Sequence, residues 1–146
     1  MRRLAPIAAA VWGAFMLPGS ASAALFLTLS RVTAAPGTTV AAFEPVQAWA
    51  PAKGIDVYLV PVRLKALQAG GVLHAVPAGR LVVRLGPLTV DRNHRYAITF
   101  RVPDVPPGDY TTAFWCRPCG GTFFTSAAPT DTWTPGHGPV LRVVRR

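Results

Sequence analysis

The chain has 146 residues, 51% of them hydrophobic, with fifteen Lys and Arg against six Asp and Glu for a formal net charge of +9. That length is one domain's worth of residues, enough to bury roughly two-thirds of its unfolded surface. The cations stand apart, as Arg63/Lys65, Arg80/Arg84, Arg92/Arg95/Arg101 and Arg142/Arg145/Arg146, so no Lys/Arg-rich run of the nucleic-acid type is present and nucleic acid is not an expected partner.

Residues 1–23 read as a signal peptide. Arg2 and Arg3 form a positive n-region, and Ile7 to Leu17 form an apolar stretch too short to span a bilayer. Pro18-Gly19 breaks that stretch, and Ala21-Ser22-Ala23 fits the small-x-small cleavage pattern. Cleavage leaves residues 24–146 as the mature domain and lowers the formal charge to +7 by removing two arginines. No later apolar run is long enough for a membrane helix, so no transmembrane segment is expected after cleavage. An exported cation of this kind is expected to associate weakly with anionic surfaces of the cell envelope. Export also places Cys116 and Cys119 where a disulfide is the default state.

The mature region reads as short β-runs divided by Pro and Gly. Leu25 to Val32 alternates Leu25, Leu27 and Leu29 with Thr28 and Ser30, the period of a strand with one buried face. Ala35-Pro36-Gly37 turns the chain into a second strand, 38–43. Ile55 to Val62 is apolar on both faces, as a central strand is, and Pro61 places its end at an edge or bulge. Arg63 to Ala69 favours helix for about two turns before Gly70-Gly71 stops it. Strand character returns at 81–83 and 88–90, divided by Gly86-Pro87. Asp91 to His94 is turn chemistry. The clearest strand follows, with Tyr96, Ile98, Phe100 and Val102 toward a core and Arg95, Thr99 and Arg101 toward water. Pro103 to Gly108 is a rigid connection into 109–116, where Tyr110, Thr112, Phe114 and Cys116 share a face. Cys116 to Pro139 reads as a long irregular segment before a last strand, 140–144. Six to eight short strands nearly free of helix predict an all-β, antiparallel two-sheet sandwich of about seven strands.

Two stretches carry a resemblance. Pro36-Gly37-Thr38-Thr39-Val40 and Val102-Pro103-Asp104-Val105-Pro106-Pro107-Gly108-Asp109-Tyr110 resemble landmarks of immunoglobulin-like β-sandwich domains in secreted bacterial proteins. In such domains a Pro-Gly opens the second strand and Pro-x-Gly-x-Tyr enters the penultimate one. The resemblance implies that Tyr110 locks a corner by bonding nearby backbone. The copper-binding sandwiches of the bacterial envelope are similar in the same Pro-Pro-Gly-Asp-Tyr stretch, but they use a histidine at the mature N-terminus, where this chain has Ala24-Leu25.

Both cysteines lie in Trp115-Cys116-Arg117-Pro118-Cys119, which resembles the redox segment of thioredoxin-like proteins. That chemistry needs a helix directly after the pair to lower a thiolate pKa. The following Gly120-Gly121-Thr122-Phe123-Phe124 is poor helix material and prefers strand. The pair therefore reads first as a disulfide across a type I turn, Arg117 to Gly120, and second as a thiol–disulfide redox site. A third reading is a copper or zinc site joined by His94 or His137. His74, His94 and His137 lie in separate segments, and no catalytic constellation is visible, so the expectation is no enzyme, no cofactor and no resident metal. Trp115, Phe123, Phe124 and Trp133 are the candidate binding residues, an aromatic surface beside the cysteine turn at one end of the sandwich, near the 35–37 or 49–54 loops. The expected role is an exported binding or structural module whose partner is a protein or an envelope polymer.

Overall fold

The computed structural model describes residues 25, 27–46, 51–64, 72–125 and 140–145. In chain order the strands are β1 (Thr28–Leu29), β2 (Thr33–Ala34), β3 (Thr39–Pro45), β4 (Ile55–Pro61) and β5 (Val83–Pro87), then β6 (Thr89–Val90), β7 (Arg95–Arg101), β8 (Gly108–Cys116), β9 (Thr122–Thr125) and β10 (Val140–Val143). No helix occurs among the described residues, and so none long and apolar enough to cross a membrane. The expected signal peptide and residues 65–69 of the helix-favouring stretch lie outside the described residues. At the start of that stretch the chain turns at Val62-Arg63, where the Leu64 N–H donates to Pro61 O at 3.1 Å.

The strands form two sheets, one in the order β1-β3-β7-β6 and the other β2-β10-β8-β4-β5, with β9 also on β8. Pairing is antiparallel except between β2 and β10. One apolar cluster draws on both sheets: Val40, Ala42, Tyr96, Ile98 and Phe100 from the first, and Val57, Leu59, Tyr110, Phe114, Leu141 and Val143 from the second. The expected core faces of β7 and β8 are therefore the observed ones.

One expected strand is shared between the sheets, and two neighbouring expected runs fall in different sheets. The run beginning at Leu25 buries Leu25 and Leu27 as its alternation predicts, but pairs as β1 in the first sheet and β2 in the second. Likewise β5 and β6 lie in different sheets, and the Leu88 N–H between them bonds Ile55 O at 2.8 Å. A bulge in β5 opposite Val57/Tyr58 turns Leu85 toward the main core. Pro61 ends β4 where only β8 remains beside it, since the β5 pairing stops at Leu59.

At the start of β3, the Thr38 N–H bonds Ala35 O at 3.1 Å and Gly37 has φ 83°, the third-residue conformation of a type II turn that favours glycine. At the start of β8, the Tyr110 hydroxyl donates to Pro106 O at 2.8 Å. The Asp91–Arg95 turn is closed as its residue types predict, with Asp91 Oδ1 accepting from the backbone N–H groups of Asn93 and Arg95 at 2.8 and 2.9 Å.

The second sheet is covered on its outer face as well. Val60, Ala113 and Phe123 form a separate buried cluster there, packed against Leu64, Leu73, Val76 and Val82 from the segment that joins β4 to β5. Leu73 bridges to Phe123 through hydrogen bonds of 3.0 and 2.7 Å, closing the free edge of β9.

Candidate functional site at the disulfide turn

Part of the stretch expected to be irregular, Cys116 to Pro139, is strand. Thr122–Thr125 pair with β8 as β9, Cys116 opposite Thr122 and Ala113 opposite Thr125, so Cys116 ends β8 and Cys119 sits in the hairpin loop that follows. β10 continues along the same edge of β8, with Val140 opposite Thr111. Hence the chain leaves the strand line at Thr125 and rejoins it at Val140 only two register positions further along β8. Residues 126–139, which contain Trp133 and His137, lie outside the described residues.

Across the hairpin loop, Cys116 and Cys119 form a disulfide with Cα atoms 5.2 Å apart. The loop closes through the Gly121 N–H to Arg117 O at 3.2 Å, one residue wider than a type I turn, because Gly120 and Gly121 both take positive φ. Cys116 is 0% exposed in the main core, and Cys119 packs against that core. The loop docks on the 51–54 loop: the Arg117 N–H donates to Gly54 O at 3.1 Å, and Pro118 lies over Gly54. Any Cβ at Gly54 would come within 2.9 Å of the Pro118 ring, and its φ of 87° also favours glycine. The other expected neighbour, 35–37, lies at the opposite end of β8, where Pro36, Val105, Pro107 and Arg145 help line an open cleft.

Strand parity divides the expected aromatic surface. Phe124 points into the main core, 5.6 Å from the Phe114 ring, and Phe123 points outward but is fully buried, edge-on to Tyr58 at 5.5 Å. Trp115 is partly exposed on the outer face, with its indole edge against Gly121. The rings of Phe123 and Phe124 therefore face protein, and Trp115 is the described member of the set that reaches solvent.

Beside Trp115 lies a cluster that the motif search missed. Asp56 is its cross-strand partner on β4, on the outer face, with a side chain only 9% exposed. Arg84 Nη2 donates to Asp56 Oδ1 at 2.7 Å, and Arg117 Nη2 donates to Oδ2 at 3.1 Å. The Asp56 carboxylate raises the pKa of Arg84 further above its ordinary value, through the hydrogen bond first and its charge second. A signal was present: Asp56 is the one acid in the apolar run Ile55 to Val62, and a buried carboxylate requires partners.

His74 and His94 are exposed on separate segments. Among the described residues no group of three or more His, Cys, Asp or Glu is placed to hold a metal. Comparison of the chain with protein-family models, with curated proteins and with solved structures finds no match.

Proposed function

We propose that this chain is an exported, non-enzymatic immunoglobulin-like module that binds or packs in the cell envelope or the extracellular space. The observation that carries this reading is the Tyr110 hydroxyl bonded to Pro106 O at 2.8 Å where the chain enters β8, the geometry of a tyrosine corner. The strand order supports it. With β1, β3, β6 and β7 taken as strands A, B, D and E, the first sheet runs A-B-E-D; with β4, β8 and β10 as C, F and G, the second contains G-F-C. The disulfide supports a staple, since one sulfur-bearing residue is buried and the chain after Cys119 is strand. The rival reading, a thiol–disulfide or copper/zinc-handling protein, needs an accessible low-pKa thiolate and draws no support from this geometry.

Expression of the full chain with a C-terminal tag in a bacterial host tests the proposal. The exported fraction is expected to hold a product beginning at Ala24, with its disulfide intact and resistant to glutathione buffer, that binds isolated envelope material saturably. A full-length chain kept in the cytosol, or a pair readily reduced or metal-loaded, overturns it.

A further inference from the structure

We infer that Arg84 and Arg117 form a binding site for the oxyanion groups of an anionic polysaccharide, with Trp115 as the wall on which a sugar ring packs. The inference rests on the binding-module reading and gives its ligand a chemical class.

Three observations carry it. First, the charges do not balance. In direct contact, Arg95 pairs with Asp91 and Arg142 with Asp109, where Arg63 adds only its more distant charge, whereas Asp56 holds two guanidiniums and leaves a surplus of +1. Second, the guanidiniums are positioned but not used up. Each gives Asp56 a single nitrogen, and a guanidinium carries five N–H donors, so most of both forks remains open for an incoming anion. The Arg84 and Arg117 side chains are 52% and 69% exposed while Asp56 is 9% exposed, so an approaching anion meets the cations and not the carboxylate. Third, the frame is rigid. Arg84 stands on β5 opposite Tyr58, and Arg117 stands in a loop fixed by the disulfide and by Gly54. Cations already held in place lose little freedom on binding.

Trp115, directly across from Asp56, adds a partly exposed indole to this pair, and aromatic faces beside charged donors suit a sugar acid. A membrane surface fits less well. The exposed large apolar residues Val32, Val72, Leu81 and Val90 lie on none of β4, β8 or the disulfide turn, so among the described residues no insertion patch flanks the pair on those elements.

The test titrates the purified full chain with polygalacturonate, dextran sulfate, neutral dextran and phosphatidylglycerol vesicles at about 0.1 M salt, where surface charges more than about 10 Å apart are screened. At least one anionic polymer is expected to bind and neutral dextran is not. Arg84→Gln and Arg117→Gln should each weaken that binding about tenfold, the size of one charge-assisted contact. Arg92→Gln, which removes the same charge from an exposed turn, should change it less than about twofold. Arg84→Lys keeps the charge and loses the planar fork, so it should also weaken binding while melting like the wild type. Equal losses in Arg92→Gln, binding of vesicles alone, or no binding of either polymer would overturn the inference. Saturable binding to envelopes that is unchanged by all these variants would remove this site and leave the module reading standing.

Discussion

Along β7, buried Tyr96, Ile98 and Phe100 alternate with exposed Thr99 and Arg101, whereas along β8 Tyr110, Thr112, Ala113, Phe114 and Cys116 are all buried. The two strands lie in different sheets and meet different neighbours. Among the described residues, the outer face of the first sheet is exposed or half-buried, with Arg95 lying over the Phe43 ring at 4.8 Å. The second sheet lies between the main core and an outer cluster in which Leu64, Leu73, Val76 and Val82 pack around Phe123. Period-two alternation reports burial only where one face is wet; where a connecting segment folds back, both phases of the strand become core.

The largest expected effect separates those faces directly. Phe123→Ala, on the outer side of the second sheet, should cost about 3–5 kcal/mol in urea unfolding, because it empties a fully buried site and removes the edge-on contact with Tyr58. A cost under about 1 kcal/mol would show that the outer cluster is not packed. Next, Cys116→Ser/Cys119→Ser should cost about 2 kcal/mol, as expected for a small closed ring, and leave the β-type circular dichroism intact. Loss of the folded signal would make the pair central to the fold and not a staple on one loop.

Tyr110→Phe should cost about 1 kcal/mol by leaving Pro106 O without its partner. Burial raises the pKa of both Tyr110 and Tyr96 above the ordinary 10.0. Because the folded value is the higher one, this contribution to stability is fully present below about pH 10 and is lost as pH rises through the folded pKa. Denaturation midpoints from pH 8 to 11 should therefore fall, and fall less steeply in Tyr110→Phe. The smallest effect sharpens the comparison from its other side: Thr99→Val, on the wet face of β7, should stay within about 0.5 kcal/mol.

The sequence alone determined the features whose cause is local. The alternation of 95–102, the strand at 55–61, the Pro36-Gly37 turn, the Asp91 turn and the Tyr110 contact with Pro106 all arise between residues a few positions apart, where side-chain parity and turn stereochemistry act directly. The tertiary structure decided the rest. Asp56 meets Arg84 and Arg117 across separations of 28 and 61 residues, and no local pattern marks a pairing of that span. The strand preference of Thr122-Phe123-Phe124 was legible, but its pairing as β9 was not, because its four residues show no polar alternation, Phe123 and Phe124 being buried on opposite faces. That β9 and β10 share one edge of β8 is a property of strand register alone. Register is set by which backbone groups lie opposite one another, and the chain reveals it only once both sheets have formed.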